Sequence, residues 1–447
     1  MTPHIQTCRQ FRPTEQSEAE AYTGDRTARK LSRQKERKTM DREAVVVVGA
    51  GQAGAWVART LRSHGFVGRL VLVGDESALP YERPPLSKEQ LQATPPKMQF
   101  LMSPEELDVL NIEWRRATRC ARIDRLARKV ELSNGESLRY DRLVLCTGGR
   151  ARLPRIPGLY VDCVHTLRTL EDAKRLQAKL RSDVRLLVIG GGWIGLEVAA
   201  SARAVGCSVT LVEAGAALCT RTGSPALSVF LETLHQANGV DLRLETTVAA
   251  LEHENGVCRV RYTDGSMQEI DLVVVGIGLE HNDSLARTAG LACDRGILVD
   301  QQCRTSDERI FAAGDVTVMR DADGSLLRLE SWQNAQDQGI AAARAVLGMD
   351  IVYRPAPFFW SQQYDALVQI AGLPIQGAPT LIRVADADKL IAIELNGDSQ
   401  ITSVVCTNSP RDFRQLRKFV SESTRVDPTI LSDVGQPLAT AEISLSA

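Results

Sequence analysis

Two glycine-rich turns, about 140 residues apart, have the residue types and spacing that hold a pyrophosphate. The first runs from Gly49 through Gly51 to Gly54, and the second is Gly190-Gly191-Gly192-Trp193-Ile194-Gly195. In this G-x-G-x-x-G pattern the glycines allow a tight turn and bring the backbone close to the phosphates, which lie at a helix N-terminus. Two such turns predict one bound flavin and one exchangeable nicotinamide, with electrons passing between them.

Acidic residues follow each turn at the distance expected for a carboxylate that binds a ribose. Asp75 and Glu76 follow the first turn, and Glu213 lies 18 residues after Gly195. Such a carboxylate accepts hydrogen bonds from ribose hydroxyls and repels a 2′-phosphate. We therefore expect Asp75 or Glu76 to bind the first adenosine, and Glu213 to make the second site prefer NADH over NADPH. Arg221, a little further on, either contacts the cofactor or faces water.

Apolar runs on both sides of each turn predict the strands and helices that must position them. Continuous hydrophobicity, as in Ala44–Val48 and Arg185–Ile189, is typical of parallel strands buried on both faces. The runs Leu70–Val73 and Val209–Val212 close the two β-α-β units, and Leu196–Ala204 has the pattern of a connecting helix. The predicted fold class is α/β, with two Rossmann-like dinucleotide-binding domains and a C-terminal α/β domain.

The same patterns divide the chain into units. We expect a helix over Leu170–Arg181, a return to the first domain at Leu272–Val275, and C-terminal strands at Leu367–Ile370, Leu390–Leu395 and Ile401–Cys406. The predicted units are a disordered N-terminal extension (1–42), a discontinuous FAD-binding domain (43–151 and 272–326), an NAD-binding domain (152–271), a C-terminal reductase domain (327–430) and a tail (431–447).

Composition excludes several classes of partner. The 54 basic residues balance 55 acidic ones, which gives no overall attraction to nucleic acid or to an anionic membrane. No apolar stretch approaches the ~18 residues of a membrane span. The basic run from Arg26 to Lys38 is either an arm that binds nucleic acid or a protein partner, or part of a disordered tail, which includes the case of translated sequence upstream of a start at Met40. We favour the tail.

The ten cysteines are scattered, and no pair has the C-x-x-C spacing. This distribution predicts no zinc site, no iron–sulfur cluster and no bound metal. Glutathione-reductase-like and thioredoxin-reductase enzymes need a redox cysteine pair, so electrons should instead leave from the flavin itself. Scattered free thiols also predict a reducing compartment, and therefore a cytoplasmic protein.

Four further motifs give the sequence a family resemblance. They are Tyr81-Glu82-Arg83-Pro84-Pro85-Leu86-Ser87-Lys88, Phe311-Ala312-Ala313-Gly314-Asp315, Glu330-Ser331-Trp332-Gln333-Asn334-Ala335 and Phe359-Trp360-Ser361-Gln362-Gln363-Tyr364-Asp365. Over about residues 43–420 the chain resembles the FAD-dependent NADH–ferredoxin reductases of bacterial aromatic-ring dioxygenase systems, such as the phenylpropionate/cinnamate type. Putidaredoxin reductase, rubredoxin reductases and apoptosis-inducing factor share this glutathione-reductase-like fold.

The resemblance implies catalytic roles for Lys88, Glu197 and Trp332. Arg83 and Lys88 match positions that contact the flavin, with Lys88 near its N5 edge, and Glu197 matches the acid that pairs with this lysine beneath the ring. Such a pair can stabilise an anionic reduced flavin without burying a lone charge. Trp332 matches an aromatic residue beside the flavin, and Trp360 matches packing in the domain that shapes the ferredoxin-facing surface.

Other matched positions imply binding roles. Arg152 matches a residue near the flavin pyrophosphate, and Asp315 matches the carboxylate that binds the ribityl chain. Ser331 adjoins the flavin, and Gly278 and Glu330 flank the nicotinamide. The sequence departs from the family pattern at three positions, which are Cys146 in place of alanine, His281 in place of proline and Gln362 in place of an acid.

The resemblance implies that NADH delivers a hydride to FAD, and that the reduced flavin passes single electrons to a separate [2Fe–2S] ferredoxin. That ferredoxin would supply an aromatic-ring-hydroxylating dioxygenase in aromatic hydrocarbon catabolism. A rubredoxin- or P450-coupled reductase is the neighbouring alternative. A redox-sensing protein like apoptosis-inducing factor would use the basic run, and a water-forming NADH oxidase would need a flavin-proximal cysteine that Tyr81–Lys88 lacks.

Overall fold

The computed structural model describes residues 43–92, 98–159, 162–254, 257–321, 323–375, 377–386 and 388–443. The predicted N-terminal extension (1–42), with its basic run, lies outside the described residues.

The first part of the chain contains eight described strands and three described α-helices. The strands are β1 (Ala44–Val48), β2 (Arg69–Val73), β3 (Glu113–Arg115), β4 (Cys120–Asp124), β5 (Lys129–Leu132), β6 (Ser137–Arg139), β7 (Arg142–Leu145) and β8 (Gly149–Ala151). The helices are α1 (Gln52–Ser63), α2 (Glu89–Gln92), α3 (Pro104–Val109) and a 3₁₀ turn at Pro84–Ser87.

The middle part has the same alternation, with longer helices. Its strands are β9 (Val164–Thr166), β10 (Arg185–Ile189), β11 (Ser208–Val212), β12 (Asp241–Arg243), β13 (Val248–Glu254), β14 (Val257–Tyr262), β15 (Met267–Ile270) and β16 (Leu272–Val275). Its helices are α4 (Leu170–Gln177), α5 (Trp193–Val205), α6 (Pro225–Ala237) and a 3₁₀ turn at Thr220–Thr222.

The last part begins with short strands and ends with a larger sheet. The strands are β17 (Leu279–His281), β18 (Ile297–Val299), β19 (Ile310–Ala312), β20 (Thr317–Arg320), β21 (Leu326–Leu327), β22 (Phe358–Gln363), β23 (Ala366–Gly372), β24 (Thr380–Ala385), β25 (Leu390–Leu395) and β26 (Ile401–Thr407). The helices are α7 (Ser284–Thr288), α8 (Trp332–Val346), α9 (Pro410–Glu422), α10 (Pro428–Ser432) and a 3₁₀ turn at Leu438–Ala441.

Two parallel five-stranded sheets carry the two glycine turns. The first has the order β19-β7-β1-β2-β3 and the second β12-β11-β10-β16-β9. The central strands β1 and β10 are buried along almost their whole length, as continuous apolar runs between two layers require. Each glycine turn follows the central strand of its sheet, so the predicted α/β class with two Rossmann-like units is confirmed.

The strand at Leu272–Val275 differs from its prediction. It pairs in parallel with β10 inside the second sheet and does not return to the first. The return comes later, where β17 pairs with β8 and β19 pairs with β7. A run of four apolar residues indicates a strand buried on both faces, but it carries no information about which sheet the strand joins.

The C-terminal sheet is antiparallel, with the order β22-β23-β26-β25-β24. Helix α9 packs against it through Phe413, Leu416 and Phe419, which recur at the spacing of one helix face. The segment predicted as a tail from residue 431 contributes Leu431 and Leu438 to the same core, so these buried side chains belong to the sheet domain. The helix predicted over Leu170–Arg181 ends at Gln177.

Candidate functional site

A cavity of about 490 Å³ lies where the first glycine turn, the start of α5 and the C-terminal strand β22 meet. Three parts of the chain that are far apart in sequence therefore share one site. The predicted residues that line it are Gly49, Gly51, Asp75, Glu76, Arg83, Lys88, Trp193, Ile194, Glu197, Asp315, Glu330, Ser331 and Trp332. The cavity thus collects most of the residues that were predicted to contact a flavin.

The geometry of the first turn fits a bound pyrophosphate. Gly49 has φ of 108°, and a Cβ there would lie 2.1 Å from the Cys146 carbonyl oxygen, so no other residue fits. Gly51 instead has open space, with Arg83 as the only atom contact, at 4.0 Å. No side chain caps α1, so its first N–H groups remain available to an anion. The turn is therefore tightly packed at Gly49 and open at Gly51, as a site for a phosphate must be.

The two predicted adenosine-side acids have different surroundings. Glu76 accepts hydrogen bonds from Arg83 at 2.8 Å and from the Tyr81 hydroxyl, whereas Asp75 is exposed. Burial raises the pKa of Tyr81, which keeps its hydroxyl protonated as a donor to Glu76. The Tyr81 oxygen in turn accepts from the backbone of Leu170, 2.8 Å away. Glu76 therefore also fixes the loop that carries Arg83.

Arg168 is a cavity residue that sequence reasoning missed. Its guanidinium lies 3.0 Å from Asp315 and donates to the carbonyl of Gly149 at 3.0 Å, while its own carbonyl accepts from Arg83. Burial is the main cause that lowers the pKa of Arg168. The sequence signal that could have identified Arg168 is a cation between two apolar residues, Leu167 and Leu170, both of which are buried. A charged residue in such a run needs a partner, and Asp315 supplies it.

The structure brings Lys88 and Glu197 together. Lys88 Nζ lies 2.7 Å from Glu197 Oε2, and the two side chains are 15% and 4% exposed. Glu197 also accepts from the Ser87 hydroxyl, and its Oε1 accepts from Ser361 of β22 at 2.6 Å. Lys88 donates in addition to the Pro84 carbonyl at 3.1 Å. A buried acid with this many donors is satisfied as a carboxylate.

Aromatic side chains form one wall of the cavity. Trp332 meets Trp360 edge to face with 5.5 Å between ring centroids, and Trp360 stacks on Phe358 at 5.7 Å. Trp193, at the start of α5, packs on Phe359 with centroids 4.7 Å apart. Trp360 thus lines the cavity as well as packing in the C-terminal sheet. A planar ring could lie against this wall.

The second turn repeats the construction of the first. Gly190 has φ of 112°, and a Cβ there would lie 2.6 Å from the Gly276 carbonyl oxygen. Glu213 accepts hydrogen bonds from the backbone nitrogens of Gly191 at 2.6 Å and Gly215 at 2.8 Å. Helix α5 also begins without a side-chain cap, so it too can receive an anion. Gly190, Gly191, Gly192 and Gly195 lie outside the cavity lining, while Trp193 and Ile194 reach it.

The residues predicted beside the nicotinamide also cluster. Arg221 lies 3.6 Å from Glu330, and a Cβ on Gly278 would lie 2.9 Å from the Arg221 guanidinium. His281 Nε2 lies 3.2 Å from the other oxygen of Glu330. Although Arg221 is 69% exposed, it therefore contacts both predicted nicotinamide neighbours. Glu330 belongs to this cluster and also lines the cavity, so it connects the two.

Arg152 was predicted to lie near the flavin pyrophosphate, but the structure does not bring it to the cavity. It lies beyond the end of β8, is exposed and donates to the Leu279 carbonyl at 3.1 Å. Its position in sequence close to the first sheet does not fix the direction of its side chain. Arg168, from the neighbouring unit, occupies the wall instead.

Cys146 lies in the cavity wall. Burial raises the pKa of its thiol to about 12, so the thiol stays protonated at neutral pH. The described cysteines are all free. Within the described ranges, no group of His, Cys, Asp and Glu side chains is placed to hold a metal. None of the described helices is both long and apolar enough to cross a membrane.

Comparisons with known proteins place the chain in a family. Residues 43–339 match the family described as pyridine nucleotide-disulphide oxidoreductase, and residues 358–441 match the reductase C-terminal family. The first match covers more than half of the chain. Together these matches confirm the resemblance derived from the motifs and the predicted fold class, with Rossmann-type domains and a C-terminal domain.

Individual relatives match nearly the whole chain. Rhodocoxin reductase of Rhodococcus erythropolis is 39% identical, covering 87% of this chain and 92% of that protein. The anthranilate 1,2-dioxygenase system ferredoxin–NAD(+) reductase component of Burkholderia cepacia is 38% identical, covering 88% of this chain and 98% of that protein. The crystal structure of the covalent putidaredoxin reductase–putidaredoxin complex matches with a TM-score of 0.84 and 36% identity. The match covers 89% of this chain and 99% of the chain in that structure.

Proposed function

The chain belongs to the pyridine nucleotide-disulphide oxidoreductase family, and we propose that it is an FAD-dependent NADH–ferredoxin reductase. The observation that carries the proposal is the single cavity in which the first glycine turn, the Lys88–Glu197 pair and the aromatic wall of β22 meet. Such a cavity suits a dinucleotide whose ring lies at one end and whose phosphates lie at the other.

Several residues would hold the flavin nucleotide. The backbone of the first turn would bind the pyrophosphate, with Asp75 and Glu76 on the adenosine side of the cavity. Asp315 and Arg168 would contact the chain between phosphate and ring, and Arg83 would link the two regions through its contacts with Glu76 and Arg168. Ser331 would sit at the start of α8, facing the same cavity.

When bound, FAD takes two electrons from NADH and releases them one at a time, and this redox chemistry belongs to the cofactor. Lys88 supplies a positive charge at the ring end of the cavity, and Glu197 keeps that charge from being buried alone. Trp332, which lines the cavity, would limit the room for the ring and exclude water from its face. Positioning of this kind requires no acid–base triad.

The second turn would bind NADH. Gly190, Gly191, Gly192 and Gly195 would admit the pyrophosphate, and Trp193 and Ile194 would guide the nicotinamide toward the cavity. Glu213, held against the turn, would accept from the ribose hydroxyls and repel a 2′-phosphate. Gly278 and Glu330 would flank the nicotinamide, with Arg221 covering them.

We propose that electrons leave from the flavin to a [2Fe–2S] ferredoxin. A redox disulfide would need a pair of cysteines at the cavity, and among the described residues only Cys146 lines it. The same argument opposes the water-forming oxidase, because burial holds the pKa of Cys146 at about 12. The redox-sensing alternative depended on the basic run, which lies outside the described residues.

The ferredoxin would serve an aromatic-ring-hydroxylating dioxygenase in the cytoplasm. One relative is named as a component of an anthranilate dioxygenase system, and a similar solved structure is a complex with putidaredoxin. A reductase for a different oxygenase is the second candidate, because another relative is named for rhodocoxin and not for a dioxygenase.

Anaerobic titration of the purified yellow protein with NADH and with NADPH tests the proposal. We expect rapid bleaching of the flavin by NADH and slow bleaching by NADPH. Slow bleaching by both, with a persistent long-wavelength band, would contradict a reductase and would favour the redox-sensing protein.

A further inference from the structure

A buried row of hydrogen-bonding side chains leads from the Lys88–Glu197 pair into the interface between α6 and β22. Ser361 donates to Glu197 at 2.6 Å, and Gln363 Nε2 donates to the Ser361 hydroxyl at 3.0 Å. Gln363 Oε1 lies 2.8 Å from His235 Nε2, and the Tyr364 hydroxyl lies 3.3 Å from His235 Nδ1. The row therefore joins the cavity to His235 of α6, on the same face of the C-terminal sheet.

Strand geometry explains how two polar residues of β22 enter the row together. Side chains alternate between the two faces of a strand, so Ser361 and Gln363 lie on one face and Gln362 lies on the other. Ser361 and Gln363 are buried, and Gln362 is exposed. Since His235 is also buried, every polar atom in the row needs a partner inside the protein.

The directions of the other hydrogen bonds follow from the one that Gln363 donates to Ser361. Because the Gln363 amide donates to the Ser361 oxygen, the Ser361 hydroxyl proton is free to point at Glu197. The Gln363 carbonyl oxygen can only accept, so His235 must carry its proton on Nε2. His235 Nδ1 then accepts from Tyr364. Burial lowers the pKa of His235, in agreement with a neutral ring.

We propose that His235, Gln363 and Ser361 are positioning residues that hold the Glu197 carboxylate toward Lys88 and thereby set the charge beneath the redox ring. This inference rests on the proposed function only in identifying that ring as the flavin. Each residue acts through the next, and Ser361 is the one that touches Glu197. The N–H donor of His235 is fixed by the fold and not by solvent, because the ring is fully buried.

The row has a predictable effect on the bound flavin. The Ser361 hydroxyl neutralises part of the Glu197 charge, so removing it leaves more negative potential beneath the ring. An anionic reduced ring is then less stable. We expect Ser361→Ala and Gln363→Leu to shift the equilibrium toward the oxidised form by about tenfold, which is about 30 mV for a two-electron couple. His235→Leu should shift it the same way.

The test measures the midpoint potential by stepwise chemical reduction, without NADH, so a failure of NADH to reduce the protein cannot be mistaken for a failure of the row. His235→Gln keeps an N–H donor near the position of Nε2 and should restore the wild-type potential. Gln236→Ala, an exposed neighbour on the same helix, is the matched control. Potentials of Ser361→Ala and Gln363→Leu equal to that of the control would overturn the proposal.

A second readout needs no bound cofactor. The ¹⁵N resonances of His235, assigned by comparison with His235→Gln, should show the neutral tautomer protonated at Nε2. The opposite tautomer, or a ring protonated on both nitrogens at neutral pH, would overturn the assigned direction of the row. Should His235→Leu fail to fold, the Ser361 and Gln363 variants and this tautomer still decide the question.

Discussion

Glu213 Oε2 lies 2.6 Å from the backbone nitrogen of Gly191, so the acid at the end of β11 is tied to the turn that follows β10. The same carboxylate accepts from Gly215 through its other oxygen. The fold therefore fixes this negative charge beside the second glycine turn, where the proposed function requires the 2′-position of a bound nucleotide. On this proposal, the preference for NADH over NADPH depends on a single side chain.

Replacing Glu213 should change that preference. In Glu213→Ala the repulsion of a 2′-phosphate and the acceptors for the ribose hydroxyls are both lost. We expect kcat/KM for NADH to fall about tenfold, equivalent to about 1.4 kcal/mol, while that for NADPH stays equal or rises. Steady-state kinetics with both nucleotides measure this. An equal fall in kcat/KM for NADH and for NADPH would mean that Glu213 only supports the turn.

Two glycines of the first turn should respond differently to the same substitution. Gly49→Ala places a Cβ 2.1 Å from the Cys146 carbonyl oxygen at a φ of 108°, so we expect little folded protein. Gly51→Ala has space within the protein, so it should fold. It should nevertheless lose flavin, because its Cβ would lie where the proposed pyrophosphate approaches the turn. The ratio of flavin to protein absorbance, together with thermal unfolding, separates these outcomes. A Gly51→Ala variant that retains its flavin would contradict the proposed phosphate cradle.

The Lys88–Glu197 pair should contribute differently to stability and to redox chemistry. Lys88→Met leaves Glu197, 4% exposed, without its cation, and breaking a buried pair costs about 3–5 kcal/mol of unfolding free energy. The double variant Lys88→Met/Glu197→Leu should recover most of that stability, since no lone charge remains. Its rate of anaerobic reduction by NADH should stay low. Recovery of the rate along with the stability would show that the pair is only structural.

Alkaline pH should weaken the fold through buried thiols. Burial raises the pKa of Cys146 from 9.0 to about 12, so the folded state keeps a proton that the unfolded state releases. Stability from this group is complete below pH 9 and is lost as pH rises toward 12. Cys146→Ala should make the decline less steep by up to about 1.4 kcal/mol per pH unit in that window.

Denaturant unfolding of both proteins between pH 8 and pH 11 measures this difference. The variant should also keep its rate of reduction by NADH, because the account gives this thiol no redox role. Equal slopes for wild type and Cys146→Ala would contradict the burial of the thiol, and loss of the rate of reduction would contradict the absence of a redox role for it.

Local patterns were sufficient for the parts of the site that are continuous in sequence. The two glycine turns, the strands before them and Glu213 lie within short β-α-β units, so spacing predicted them. Lys88 and Glu197 are 109 positions apart, and only the family resemblance paired them. The contact exists because α5 of the second unit packs over the loop of the first.

The predictions that differ from the structure concern long-range partners. Leu272–Val275 was correctly predicted to be a strand but was assigned to the wrong sheet, since apolar content does not identify a neighbouring strand. Arg152 lay near the motif but faces away, whereas Arg168 enters from the end of β9. His235 reaches the site only through Gln363 and Ser361, so no local signal marks it.

The central claim is that electrons leave this protein singly from the flavin to a [2Fe–2S] ferredoxin. Its most direct test mixes the NADH-reduced protein anaerobically with a purified [2Fe–2S] ferredoxin and counts the ferredoxin reduced for each NADH consumed. Because NADH supplies two electrons and such a cluster accepts one, the account predicts two reduced ferredoxins per NADH. Flavin that stays reduced in the presence of ferredoxin, and is reoxidised only by oxygen, would contradict it.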